Sequence, residues 1–99
     1  MTSYRLKDIQ AASPGYPTAA LERRIHPPCS VRLLFVPGPP ERGYPEAMWV
    51  RVTAVAGGTC TGTLASHPSP GKDLPGCGDL VTFQGRQVIT VMPCPPRPG

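Results

Sequence analysis

Alternating apolar and polar residues predict five short β-strands along the chain. The segments are "SVRLLFV" (30–36), "EAMWVRVTAV" (46–55), "TCTGTLAS" (59–66), "LVTF" (80–83) and "QVITV" (87–91). Each is separated from the next by a stretch that contains Gly or Pro, as expected of strands joined by turns. The "AGG" between the second and third segments predicts a tight hairpin.

The second strand predicts which side chains face a core and which face outward. Side chains of a strand alternate between its two faces. One face of this strand carries only apolar residues: Met48, Val50, Val52 and Ala54. The opposite face carries Trp49, Arg51 and Thr53. In the third strand, Cys60, Gly62 and Leu64 share one face, and Thr59, Thr61, Thr63 and Ala65 share the other. The pattern therefore places Trp49 outside the core.

The residues before the first strand predict one short helix. In "YPTAALERRI" (16–25), Pro17 suits a first helical turn, and Leu21 and Ile25 lie four residues apart on one face. So short a helix needs to dock that face on the rest of the domain. The sequence thus predicts a mainly β fold, a small five-stranded SH3-like barrel or roll with one short N-terminal helix. Residues 16–92 would form this domain, between a flexible arm (1–15) that is ordered only where it packs and a Pro-rich tail (93–99).

The distribution of charged residues and the N-terminal sequence indicate what kind of surface the protein has and where in the cell it is located. The net charge of +4 comes from scattered residues, which is typical of a solvated surface rather than of a nucleic-acid patch. The N-terminal "MTSYRLKDIQ" lacks the apolar region of a secretory signal, and no apolar run is long enough to cross a bilayer. We therefore expect a cytoplasmic protein without membrane association. Its cysteines would be free thiols: Cys29, Cys60, Cys77 and Cys94.

A set of residues in the β region resembles a known family. The run "EAMWVRV…GTLAS.P…GDLVTFQGRQVITV" is similar to the bacterial domain-of-unknown-function family numbered 2314. The matching positions are Met48, Trp49, Val50 and Val52; Gly62, Leu64 and Pro68; Gly78, Asp79, Val81 and Phe83; and Ile89. Cys29 and Ser30 stand where that family usually has Gly and Asp, and Ser66 and His67 replace an Asn and a small acidic residue. The resemblance covers about residues 27–91 and implies a small β-rich fold, but no activity.

No residue pattern indicates an enzyme, a cofactor or a metal site. The cysteines are widely spaced, so a zinc site would have to combine His26 with Cys29, Cys60 or Cys77. We instead expect Cys60 to be a small core residue. Ser66 and His67 are adjacent but would point to opposite sides of an extended segment, and Glu41 and Glu46 have the character of loop charges. The sequence therefore predicts a non-enzymatic protein.

Gly78 and Asp79 indicate a structural turn. Glycine supplies the positive φ of a tight turn that enters a strand, and aspartate can accept hydrogen bonds from backbone N–H groups two residues on. We expect Asp79 to stabilise this turn rather than to act chemically.

The face that holds Trp49, Arg51 and Arg32 is the candidate binding surface. Trp and Arg are enriched at protein–protein hot spots, which favours a protein-interaction module. The same residues suit weak, sequence-tolerant binding of single-stranded nucleic acid, which is the alternative. A third interpretation is that the helix, or the arm with Tyr4 and Tyr16, covers Trp49 and forms a second small core with it.

Overall fold

The computed structural model describes residues 4–38, 44–68 and 74–93. These residues form two short helices, α1 (Ile9–Ala12) and α2 (Thr18–Glu22). They also form the strands β1 (Tyr4–Leu6), β2 (Cys29–Pro37), β3 (Glu46–Ala56), β4 (Thr59–Leu64), β5 (Leu80–Gln84) and β6 (Val88–Pro93), and a 3₁₀ turn (Gly85–Gln87) joins the last two. Some of the sequence-based predictions concern residues outside the described ranges, namely Cys94, Glu41 and most of the C-terminal tail.

The strands form a nearly closed barrel. Strands β2, β3, β4 and β5 pair in that order, each antiparallel to the next, and β6 pairs with the free side of β2. The result is a nearly closed, five-stranded antiparallel barrel, to which β1 adds a short strand beside the end of β2. The predicted mainly β fold is confirmed.

The barrel interior is filled by every second residue of its strands. Val31, Leu33 and Phe35 of β2 have no exposed surface. From β3 come Met48, Val50 and Val52, as predicted, and Cys60 of β4 is buried as a small core residue. Burying an aliphatic or aromatic side chain contributes roughly 1.5 to 3 kcal/mol. This alternation therefore stabilises the barrel and directs the intervening side chains outward.

Ala54 does not share the core face, and this prediction was wrong. The pairing of β3 with β4 shifts between Val52 and Ala54, so Thr53 is an extra residue in β3. Such a bulge reverses which face the following side chains occupy. Ala54 is consequently exposed and lies opposite Thr61. The hydroxyl of Thr53 donates a hydrogen bond of 3.1 Å to the carbonyl oxygen of Thr61.

Three glycines allow the tight turn and the close approach of β3 and β4. Gly57 and Gly58 have φ angles of 60° and 82°, the pair of positive values that a two-residue hairpin turn requires. Gly62 lies directly across from Val52, where a Cβ atom would clash with the Arg51 carbonyl and lie 2.7 Å from Cγ1 of Val50. The two strands thus approach more closely at Gly62 than any side chain would allow.

The N-terminal segment adds a strand to the sheet and then forms a short helix. In the part of residues 1–15 that the structure describes, β1 pairs with β2, and the Tyr4 and Phe35 rings lie 5.6 Å apart. Asp8 then starts α1 by accepting a hydrogen bond of 2.9 Å from the Ala11 N–H. Helix α1 was not predicted from the sequence.

Helix α2 docks at the 3₁₀ turn and β6. Ile25, just beyond the helix, is buried in the core, and Leu21 packs against it, as predicted. A Cβ at the buried Gly85 would lie 2.6 Å from Cγ of Glu22, so the helix sits directly on the turn. Arg24 anchors the same segment by donating to the Val91 carbonyl at 3.3 Å. No helix in the described part of the chain is long and apolar enough to span a lipid bilayer.

Candidate functional site

Arg32 and Trp49 form a cation–π pair on the outside of the barrel. They are direct cross-strand partners in β2 and β3. Trp49 directs both of its backbone groups away from β2: its N–H donates to Oγ of Ser66 at 2.9 Å, and its carbonyl accepts from the Ala65 N–H at 2.9 Å. The Arg32–Trp49 pair is therefore of the non-hydrogen-bonded type, in which side chains approach most closely. Cζ of Arg32 lies 5.8 Å from the centre of the indole ring, within range of a cation–π interaction.

Arg51 lies in the next row of outward-facing side chains. It is opposite Ser30 on one side and Thr63 on the other. The row continues to Met92 beside Ser30 and to Leu80 beside Thr63. Met92 is 55% exposed and Leu80 is 71% exposed. We call the surface formed by Arg32, Trp49 and Arg51, with Met92 and Leu80 at its two ends, the Trp49 face.

The residues considered as a cover for Trp49 are engaged elsewhere. Helix α2 packs on β6 and the 3₁₀ turn. The Tyr4 ring packs against the Phe35 ring at an interplanar angle of 46°, and the hydroxyl of Tyr16 donates a short hydrogen bond to the Ile89 carbonyl. Trp49 itself is half-buried, while Arg32 and Arg51 are exposed. The sequence thus placed these three residues on one face correctly, and the structure shows them adjacent.

Ser66 is a residue whose role the sequence did not reveal. Strand β4 ends at Leu64, so the Trp49 N–H has no strand partner at that point. The Ser66 hydroxyl accepts its hydrogen bond instead and fixes the backbone below the indole. Ser66 lies 17 residues from Trp49 in the sequence, and no local pattern indicates a hydrogen bond over that separation. For this reason the role of Ser66 could not be predicted.

The turn at Gly78 and Asp79 ties two parts of the barrel together. Gly78 has a φ of 93°, the conformation expected there. A carboxylate oxygen of Asp79 accepts a hydrogen bond of 2.8 Å from the N–H of Gly76, three residues earlier in the chain. The predicted partner was an N–H group two residues after Asp79. The Gly78 N–H and the Asp79 carbonyl bond to the backbone of Leu64 at 2.7 and 2.9 Å. The turn therefore fixes the start of β5 against the end of β4.

The described cysteines and histidines differ in exposure and do not form a metal-binding cluster. Cys29 and Cys60 are buried, free thiols, and Cys77 is free and exposed. Burial raises the pKa of both buried thiols. Across the residues that the structure describes, no three His, Cys, Asp or Glu side chains are placed to hold a metal ion. His26 and His67 are both exposed.

An open cleft of about 510 Å³ lies near the N-terminus. It runs between β1, α1 and the residue that precedes β3 and is lined by Arg5, Leu6, Lys7, Asp8, Ala11, Ala12, Val36 and Pro45. Sequence reasoning overlooked Arg5 and Lys7, because a strand of three residues has too few positions to show a period.

Comparison with protein-family models, with curated proteins and with solved structures gives no match. Functional inference for this chain therefore depends on its own residues and their geometry.

Proposed function

We propose that this protein is a non-enzymatic interaction module that binds another protein through the Trp49 face. The observation that carries the proposal is the Arg32–Trp49 cation–π pair, which presents an aromatic ring and guanidinium donors together on the outside of a strand pair. Trp and Arg are the side chains that contribute most often to hot spots of protein–protein interfaces. The exposed Leu80 and Met92 add apolar area at the ends of the face.

Weak, sequence-tolerant binding of single-stranded nucleic acid is the second candidate. It is favoured by charge: the outward-facing residues of β2 and β3 include Arg32 and Arg51 but no carboxylate. A base could stack near Trp49 while phosphates contact the guanidinium groups.

Three further assignments belong to this proposal. We place the protein in the cytoplasm, the barrel among SH3-like folds, and residues 27–91 with the bacterial domain-of-unknown-function family numbered 2314. The 3₁₀ connection between β5 and β6 supports the second assignment, and the "MWV" and "GD.V.F" segments support the third.

Affinity purification from native cell extract tests the function. Wild-type protein should retain a partner that Trp49→Ala loses and that the control variant Val55→Ala keeps, since Val55 is an exposed apolar residue outside the Trp49 face. Nuclease treatment should leave the partner bound. A partner retained equally by all three forms would contradict the proposed face.

Ionic strength and nuclease treatment together distinguish protein binding from nucleic-acid binding. For nucleic acid, affinity should fall steeply between low and physiological ionic strength because phosphate contacts release counterions. Binding to a protein partner should survive nuclease, and the part of its affinity that comes from the Trp49 ring should be much less sensitive to salt. Loss of the partner after nuclease, combined with a steep salt dependence, would favour the second candidate.

A further inference from the structure

Each of four successive outward-facing rows that cross β2 contains one basic side chain, from β2 itself or from a neighbouring segment. The outward positions of this strand are Ser30, Arg32, Leu34 and Val36. Arg51 lies beside Ser30, and Arg32 supplies the cation of its own row. Lys7 lies beside Leu34, whose carbonyl accepts from its N–H at 3.0 Å, and Arg5 lies beside Val36. We call Arg5, Lys7, Arg32 and Arg51 the basic strip; it joins the cleft to the Trp49 face.

The charges of the basic strip are not compensated within the described residues. All four side chains are exposed, and none of them forms an ion pair there. The carboxylate that lines the cleft, Asp8, is already engaged. One of its oxygens accepts from the Ala11 N–H at 2.9 Å, and the other pairs with Nε of Arg86 at 2.6 Å.

The spacing of the rows matches an extended polypeptide. Alternate residues of a strand lie about 6.6 to 6.8 Å apart, and an extended partner chain presents every second side chain at the same interval. A carboxylate at each second position of such a chain would meet one cation of the basic strip in turn. At the cleft end, Val36, Pro45, Ala11 and Ala12 provide apolar surface for an aliphatic part of the same chain.

We propose that the partner contributes an extended acidic segment, with carboxylates at alternate positions, that lies along β2 from the cleft to Arg51. The proposal rests on the proposed function and names the chemistry of the partner. Nucleic acid fits this strip less well. Among the described residues in the four rows of the basic strip, Trp49 is the only aromatic one, and Arg32 already lies over one face of its ring, so these rows offer one stacking platform rather than a series.

Titration of ¹⁵N-labelled full-length protein followed by two-dimensional NMR tests this inference. The probe is an acetylated, amidated peptide of four Glu-Ser repeats, used at about 50 mM salt so that surface charges are only partly screened. Two matched peptides serve as controls: one replaces each Glu by Gln, and the other has the same composition with its four Glu residues consecutive. A thymidine octanucleotide provides the comparison with nucleic acid.

We expect the alternating peptide to bind with a dissociation constant of about a millimolar, as for a few exposed ion pairs. Its shift changes should extend from the amides of Arg5 and Lys7 to those of Arg32 and Arg51. Lys7→Gln and Arg5→Gln should each weaken binding roughly two- to fivefold, while Arg23→Gln, an exposed cation outside the strip, should leave it unchanged. The consecutive peptide should bind more weakly, and the Gln peptide should not bind.

Other outcomes would overturn the inference in distinguishable ways. Shift changes confined to the Trp49 face and insensitive to Lys7→Gln would remove the acidic-segment proposal but leave the proposed function. Changes confined to the cleft, with Trp49→Ala binding normally, would contradict both, because the segment would then not reach the Trp49 face. Equal binding of the two Glu peptides would refute the alternating register, and tighter binding of the octanucleotide would assign the strip to nucleic acid.

Discussion

Cζ of Arg32 lies 5.8 Å from the centre of the Trp49 ring, and the two residues are direct partners across β2 and β3. The chain's single tryptophan therefore reports on the electrostatics of the Trp49 face. Because Arg32 and Arg51 make this surface positive, iodide should quench Trp49 fluorescence more efficiently than caesium at low salt. The difference should shrink as salt screens the charges.

The variant Arg32→Gln should reduce the preference for iodide, and Arg23→Gln should preserve it. Stern–Volmer constants measured with both quenchers check this expectation. Equal quenching by the two ions in wild-type protein would mean that the indole does not lie in a positive environment.

Ser66→Ala should destabilise the barrel. The substitution removes the acceptor that lies 2.9 Å from the Trp49 N–H in a partly buried position. An unmade hydrogen bond of this kind costs about 1 kcal/mol. Urea denaturation gives the change in the free energy of unfolding, and Ser66→Thr, which keeps the hydroxyl, should recover most of the loss. Equal stability of the Ala and Thr variants would show that the hydroxyl contributes nothing.

Asp79→Ala should lower the free energy of unfolding by about 1 kcal/mol, because Gly76 loses the acceptor of its N–H. Asp79→Asn retains a side-chain oxygen and should lose less. Thermal melting of the three proteins provides the comparison. An unchanged melting temperature for Asp79→Ala would contradict the structural role of this turn.

Gly62→Ala should be poorly tolerated, since the new methyl group would clash with the Arg51 carbonyl and with Val50. Overpacking of a well-packed interior costs typically about 1 to 3 kcal/mol. The control is Gly15→Ala, where a Cβ meets nothing within 4 Å. Chemical denaturation should therefore separate the two substitutions clearly, and similar stabilities would mean that β3 and β4 can move apart at Gly62.

The buried thiols should make stability depend on alkaline pH. Burial raises the pKa of Cys29 above its ordinary value of 9.0, and burial, with Glu22 and Cys29 nearby, raises that of Cys60. The unfolded chain then loses these protons at lower pH than the folded protein, so the free energy of unfolding falls as the pH rises through 9.0. Below about pH 8 this contribution is fully present.

Urea denaturation between about pH 7 and pH 10 should show this decline. Burial, together with the charge of Asp79, also raises the pKa of Tyr4 above 10.0, which adds to the loss at the highest pH. Cys60→Ala should make the decline shallower, and a profile identical to wild type would contradict the assignment. In a parallel measurement, a thiol reagent should modify exposed Cys77 well before Cys29 and Cys60.

The sequence predicted the barrel well because apolar and polar residues alternate along most of its strand positions. Met48, Val50 and Val52 form the core face of β3 as their spacing indicated. The bulge at Thr53 was not foreseen, and so Ala54 was assigned to the wrong face. A bulge depends on the register between two strands, and nothing in the residues of one strand reveals it.

The alternation of side chains along the strands also predicted part of the candidate site. Trp49, Arg51 and Arg32 were placed together because each lies on the polar face of its strand. The contributions of Ser66, Arg5 and Lys7 became visible only in three dimensions. Ser66 reaches Trp49 through a hydrogen bond, whereas Arg5 and Lys7 reach the same surface through the pairing of β1 with the end of β2.

The β3–β4 hairpin offers a place to attach a reporter. Gly57 and Gly58 have open space around both Cβ positions, and Ala54, Val55 and Ala56 at the end of β3 are exposed. Exposed tips of this kind tolerate insertions well. The tip is eight residues along β3 from Trp49, a distance of roughly 26 Å in an extended strand. A short peptide tag inserted between the two glycines would let the protein be immobilised or imaged with its proposed binding surface unobstructed.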